Sequence, residues 1–373
     1  MTERQTQRKI LFLFFGIVAT ALGLYFSDIC ADGIRKGIEL SVNRLIPSLF
    51  PFMVISDMIV DTGACDLLSR SLCRPIARMF KVSCEGALCF LLGMLFGFPI
   101  GITSAIAIYR DGKIDRSELL RLSLFISAPS PAFFISAVGE GLFGSAKFGL
   151  LLYAISLLNA ILIGIASRGF FKSEKGIYFA SRLVAKREKE ETKEKNAFIR
   201  AVISSARALF SISAFVVFFS MVGELIDKGL SLLGLGKTVS ALLYGFFEMT
   251  GGVARASSLG IEGAPIAAAI LGFSGISVAC QLAYLGSDIK MRGYLLAKLF
   301  CAGAGYLFCR AAVSFFFEAG ELSGKSVESF LLYRESALTR AVFVLFVFGC
   351  FLAIRGERGK ILKKYLQSNK KSV

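Results

Sequence analysis

The segment SCEGALCFLLGMLFGFPIGITSAIAIY, Ser83–Tyr109, decides how this chain is read. It is apolar over nearly its whole length, as a membrane helix is. Yet Phe96-Gly97-Phe98-Pro99-Ile100-Gly101 stands at its centre. Proline has no N–H and clashes with the preceding turn, and glycine weakens a helix, so backbone N–H and C=O groups are freed there. In lipid such groups must be satisfied by neighbouring protein or by water in a cavity. The segment therefore reads as two short helices around a break.

The same reading applies at three other places. Glu118–Gly139 is interrupted by Ser127-Ala128-Pro129-Ser130-Pro131, Leu232–Ser258 by Glu248-Met249-Thr250-Gly251-Gly252, and Ala264–Gly286 by Gly272-Phe273-Ser274-Gly275. One such site alone is a packing kink or a close helix contact; four at matching places outweigh that explanation. Plain apolar runs lie between and around them: Ile10–Ser27, Leu45–Val60, Phe148–Ser167, Phe198–Glu224, Gly293–Phe317 and Ala337–Ile354. Each approaches the roughly 20 residues of a spanning helix. Ile10–Ser27 is followed by a weak cleavage-like Ile29-Cys30-Ala31, but its apolar core is long for a signal peptide, and it reads as an anchor span.

Composition agrees. Of 373 residues 55% are hydrophobic and 19% charged, against about 45–50% and about 25% in soluble domains. There is no histidine, which removes His-based zinc sites, Ser-His-Asp triads and imidazole switching. The nine cysteines are scattered without a CxxC pair and read as packing residues in a reducing or lipid setting. Basic residues follow membrane segments rather than forming one face with interleaved aromatics, so no nucleic-acid partner is expected. Ser231-Leu232-Leu233-Gly234-Leu235-Gly236-Lys237-Thr238 resembles a P-loop but lacks its first glycine and a preceding strand. With no GxSxG, HExxH or dinucleotide fingerprint either, neither an enzyme, a metal site nor a cofactor is expected. The expected partners are a small-molecule solute, the lipid bilayer and further copies of the chain.

The order of features runs twice. Phe50–Asp57 corresponds to Phe215–Glu224, the Gly97–Gly101 break to Glu248–Gly252, the Ser127–Pro131 break to Gly272–Gly275, and the closing span Phe148–Ser167 to Gly293–Phe317. This gives an anchor (1–39), a first repeat (40–167), a charged linker (168–197), a second repeat (198–317) and a C-terminal span with basic tail (318–373). Paired interrupted segments in two halves point to an inverted-repeat transporter. The expected fold is an all-α polytopic membrane protein of eight spans and two re-entrant hairpins, Ser83–Tyr109 and Leu232–Ser258. With this topology the N-terminus, Asp61–Lys81, Arg110–Arg121, the linker, Ser287–Arg292 and the tail share one side and carry +17 together, against −2 on the other. By the positive-inside rule the first side, with both termini, is cytoplasmic.

Ionisable residues inside membrane segments are functional candidates. Glu248 lies within a break, either as a proton or cation site or to satisfy nearby N–H groups. Lys298, Arg207 and Arg310 lie in or near spans and either pair with Glu248 or a substrate carboxylate, or snorkel to an interface. Asp57 and Glu224, near span ends, read as hydrated. The expected solute contacts are Pro99, Gly101, Thr103, Ser127, Ser130, Glu248, Thr250, Ser274, Ser277 and Gln281. The alternative for the hydroxyls is bonding to their own helix. Four broken helices meeting at mid-membrane would aim helix N-termini at one point, which favours an anionic or polar organic solute over a cation.

These motifs resemble a known family. Asn43–Phe52, Gly97–Gly101, Ser130-Pro131-Ala132-Phe133, Glu248–Gly252 and Gly272–Ser277 run in the order seen in the YlbJ-type sporulation integral membrane proteins, of the nucleoside recognition or gate-domain group. The last motif also looks like the hairpin motif of concentrative nucleoside transporters. The resemblance implies a multi-pass protein of spore-forming bacteria that moves dipicolinate, a small dicarboxylate, across the outer forespore membrane. The chain departs from the family pattern at Thr103, where a lysine is usual, and at Ser127-Ala128, where an asparagine pair is usual. This leaves open a dipicolinate-like or a nucleoside-like solute. The alternative function is a non-transporting scaffold for spore cortex or coat assembly.

Overall fold

The computed structural model describes residues 13–14, 16–18, 20–61, 73–169, 197–286, 289–317 and 322. Most of the linker, the C-terminal run Ala337–Ile354 and the basic tail lie outside the described residues. The described chain is helical. In order come α1 (Ser27–Leu40), α2 (Ile46–Asp61), α3 (Cys73–Phe80), α4 (Cys84–Phe96), α5 (Ile100–Arg110), α6 (Arg116–Phe125), a π-helical segment (Phe133–Leu142), α7 (Ala146–Ala166), α8 (Ala197–Leu232), α9 (Lys237–Phe247), α10 (Met249–Ser257), α11 (Gly263–Phe273), α12 (Gly275–Leu285) and α13 (Met291–Phe316).

Four stretches are long and apolar enough to cross a membrane: Ala146–Gly169, Phe198–Leu232, Gly260–Leu285 and Met291–Phe316. The total is six if two bent pairs each count as one span: Gly16–Tyr25 with Ser27–Asn43, bent by 94°, and Cys73–Phe80 with Cys84–Phe96, bent by 102°. The Glu118–Gly139 segment is not a continuous helix. α6 ends at Phe125, and helix resumes only at Pro131, because two prolines in five residues deny it hydrogen-bond donors.

Asp28–Glu39, rich in charge, lies within helix α1. Gly33 and Gly37, four residues apart, bring it directly onto α8. A Cβ on either would lie 2.6 Å from the α8 backbone, at Met221 Cα and Val217 Cα. Small residues at this spacing are the usual means of close helix approach in membranes. The charges occupy the remaining surface, where Asp32 pairs with Arg35 at 3.7 Å and with Lys36 at 3.2 Å.

Two hydrophobic cores stack end to end. The first gathers residues of α2–α6 with Ala160 and Ile163 of α7, Leu209 of α8, Leu282 of α12, and Tyr294 and Cys301 of α13. The second gathers the π-helical segment, α10 and α11 with Leu152 of α7, Val216 of α8, Ala241 of α9, and Cys309 and Val313 of α13. The segment from α6 to the π-helix runs from the first core to the second, α7 returns, α8 crosses again, α11–α12 returns and α13 crosses once more. Helices α4–α5 belong to the first core and α10 to the second. The connections around Ile114 and Ile289 lie in the first core, and Phe143 lies in the second, with Leu259 and Ile261 packed against it. The connections thus divide between the two cores.

Candidate functional site

Each helical hairpin is closed by glycines. In the first, a Cβ on Gly101 of α5 would lie 2.6 Å from Gly93 Cα of α4. In the second, a Cβ on Gly252 of α10 would overlap Gly245 Cα of α9. The first hairpin is anchored at its base. Ser83 caps α4 by accepting from Gly86 N at 2.9 Å, and its own N and Oγ donate to Glu118 Oε1 of α6 at 2.7 and 2.6 Å.

The tip of each hairpin meets the break of the following helix. At the first, Gly97 has φ +80°, and a Cβ there would collide with Ser130 N; Phe98 N donates to Ala128 O at 2.7 Å. At the second, a Cβ on Gly275 would lie 3.2 Å from both Met249 N and Phe247 O. Breaking the helices is therefore how their backbones come into contact, and at the first contact the freed Phe98 N–H finds its partner across it.

Lys298 of α13 joins the two pairs. Its Nζ donates to Ser127 O in the first break at 2.6 Å and to Ser274 Oγ in the second at 3.0 Å. Ser274 has φ +71°, a left-handed conformation that turns its side chain out of the α11 register; its hydroxyl donates to Leu271 O at 3.1 Å. Lys298 is 5% exposed. No carboxylate among the described residues forms an ion pair with it. Beside it is a cavity of about 30 Å³ lined by Ser156 and Asn159 of α7, Ala268 and Leu271 of α11, Lys298 and Cys301. Asn159 Nδ2 donates to Cys301 O at 3.3 Å, while Asn159 Oδ1 is buried and makes no hydrogen bond among the described residues.

The other expected site residues fall into two groups. Glu248, 4% exposed, caps α10: Oε1 accepts from Thr250 N at 2.8 Å and Oε2 from Gly251 N at 2.6 Å. Pro99 precedes α5 across a cis peptide bond from Phe98, and Ser130 Oγ accepts from Phe133 N at 3.2 Å. These hold the breaks in shape. Thr103 Oγ1 donates to Pro99 O at 3.3 Å and Ile100 O at 3.1 Å, and Gln281 Nε2 donates to Ser277 Oγ at 3.1 Å. These hydroxyls bond along their own helices. Arg207 and Arg310 are exposed, as a snorkelling residue is.

Glu224 is not a hydrated span-end acid. With a side chain 12% exposed, it accepts Arg255 Nη2 at 3.1 Å and pairs with Lys36 Nζ at 3.2 Å. Arg255 also pairs with Asp227 Oδ2 at 3.1 Å, and its guanidinium stands 3.7 Å over the Tyr244 ring. The cluster fastens α10 to α8 and α1. Arg255 and Asn159 are two residues the sequence reading did not single out. Arg255 stands near the end of the second hairpin segment with nothing local to mark its partners, and Asn159 carried only the weak signal of an amide inside an otherwise apolar span.

No protein-family model matches the chain, and no solved structure matches it. The chain is similar to the sporulation integral membrane protein YlbJ of Bacillus subtilis (strain 168): 28% of residues are identical over 325 aligned positions, 78% of this chain and 79% of that protein. By motif order and by similarity over most of both chains, this helical membrane protein resembles the YlbJ-type sporulation integral membrane proteins.

Proposed function

We propose that the chain is a membrane permease for a small anionic metabolite, with its solute site where Lys298 meets the breaks at Ser127 and Ser274. One observation carries this reading. A buried lysine amine, donating to one break from each half, faces a cavity and has no carboxylate partner among the described residues. Intramembrane charge is costly, and where it occurs it lines substrate or ion pathways. A carboxylate or comparable anion is the complement of such a group. A dicarboxylate of the dipicolinate kind therefore suits the site better than a neutral nucleoside.

The cavity of about 30 Å³ has room for one or two waters, too little for such a solute. Binding thus requires the halves to part, as in alternating access around a fixed midplane site. The two cores, crossed in alternating directions, support an inverted repeat with the hairpins entering from opposite faces. By charge distribution the first core lies towards the cytoplasm, with both termini on that side. The similarity to a protein named for sporulation supports a role in spore formation, at the outer forespore membrane.

Uptake of labelled dicarboxylates and nucleosides into proteoliposomes tests the reading. Dicarboxylate uptake is expected, falling at least tenfold in Lys298→Gln and several-fold in Ser274→Ala. If dicarboxylates enter equally well with both variants, the site is elsewhere. If no solute enters, the permease reading falls.

A further inference from the structure

We infer that Lys298 couples the solute to a proton: its amine is uncharged while the site is empty and takes up one proton when a solute carboxylate docks, so each anion travels with one proton. The inference rests on the permease reading above and adds the coupling ion to it.

Hydrogen-bond counting carries the inference. A neutral amine has two N–H donors and a lone pair, whereas an ammonium has three donors. Lys298 Nζ has two acceptors, Ser127 O and Ser274 Oγ, and the Ser274 hydroxyl hydrogen is already directed to Leu271 O. Two acceptors match the neutral form, and an ammonium would have a third N–H with no acceptor among the described residues. Nor is there a compensating charge nearby. The titratable groups facing Nζ are on its own helix: Tyr294, whose ring centroid is 5.6 Å away, and Cys301. α7 presents Ser156 and Asn159, α6 and its break present Leu124, Phe125, Ala128 and the uncharged Ser127, whose hydroxyl makes no hydrogen bond with Nζ, and α11 presents apolar residues and Gly272. A lone ammonium in such surroundings is strongly penalised.

A docked carboxylate supplies both the missing acceptor and the counter-charge. The proton comes from water on the side where the solute binds and forms the third N–H on the Nζ lone pair. It leaves to water on the opposite side when the carboxylate departs, and no other bond changes. The buried Asn159 oxygen, open to the same cavity and without a hydrogen-bond donor, is placed to accept from a solute hydroxyl or a bridging water. Glu248, the other buried acid of the breaks, has both oxygens engaged in capping, which leaves the exchangeable proton to Lys298.

The test uses the full chain in proteoliposomes holding a pH-sensitive dye, with the voltage clamped at zero by potassium and valinomycin. Pyridine-2,6-dicarboxylate and aliphatic dicarboxylates are the probes. One proton is expected to enter per dicarboxylate, and a one-unit inside-alkaline gradient should raise accumulation about tenfold. In Lys298→Arg, whose side chain stays charged, protons moved per dicarboxylate should fall to zero, whatever flux remains. Dicarboxylate entry without protons in the wild type, or proton movement surviving in Lys298→Arg, overturns the coupling and leaves the permease reading standing. Absence of any dicarboxylate flux in the wild type overturns both. The wild-type stoichiometry decides even if the variant fails to fold.

Discussion

Glu248 commits both carboxylate oxygens to the first turn of α10, a cap normally made by a shorter side chain. The site is buried, so no water replaces a lost partner. Glu248→Ala leaves two N–H groups unsatisfied, at about 1–3 kcal/mol each. Glu248→Gln keeps one oxygen acceptor but turns an amide N–H₂ toward the other donor, so it should cost about half as much. Thermal unfolding in detergent should therefore rank wild type above Gln above Ala. A Gln variant as stable as wild type would show that the second N–H bond contributes nothing. Gly97 fails differently on substitution. Its φ of +80° is strained for any residue with a Cβ, and the added atom meets the Ser130 backbone, which cannot rotate away. Gly97→Ala should lose at least 3 kcal/mol or fail to accumulate, whereas Ala at Gly303, where nothing lies within 4 Å, should be neutral or stabilising. Equal expression and melting of the two variants would contradict the tip contact.

The two hairpins are built alike but fastened unlike. Both close on paired glycines, and the second arm of each reaches the long helix preceding it in its own half. In the first, Ser104 of α5 meets Ser56 of α2 through their hydroxyls at 2.8 Å. In the second, Arg255 of α10 meets Glu224 of α8. Ser104 and Arg255 are as far apart in the sequence as Gly101 and Gly252, so corresponding positions make corresponding contacts. The breaks themselves were legible in the sequence, because proline and glycine act on their own backbone and need no tertiary context. The fastening was not legible. Whether a charge near a helix end is solvated or buried depends on which helix packs over it, and α1, the helix that covers Glu224, reads locally as a charged loop. Lys298 was visible as an intramembrane cation, but its two acceptors come from breaks far from it in the chain. The fastening makes a graded prediction. Arg255→Met removes the cation shared by two partly buried carboxylates, leaving Glu224 only Lys36, and should cost about 3 kcal/mol. Lys36→Met removes a partly exposed partner that only supplements Arg255 and should cost about 1 kcal/mol or less. Detergent melting curves decide the order, and a Lys36 variant as damaging as the Arg255 variant would show that α1 rather than α10 is what the cluster holds.

At the scale of the molecule, the described chain passes between two cores in alternating directions. A net charge of +16 says nothing about this by itself, but its distribution does. The α5–α6 connection, at the first core, belongs to the strongly basic group of loops, and the connection before α7, at the second core, to the near-neutral group. A bilayer spanning the two cores would separate them, and the positive-inside rule would then put the basic end in the cytoplasm. Lys113 and Glu140 report on these two ends. In a cysteine-free background, Lys113→Cys in intact cells should resist a membrane-impermeant maleimide and react after permeabilisation. Glu140→Cys should react without permeabilisation. Cysteine at position 190, in the linker outside the described residues, should follow position 113. Labelling of 113 and 140 from the same face would mean that α6 and the π-helical segment do not carry the chain across, and the inverted arrangement would fall. Labelling from opposite faces with 113 outside would keep the crossings and reverse the orientation, in which case charge distribution is not what orients this protein.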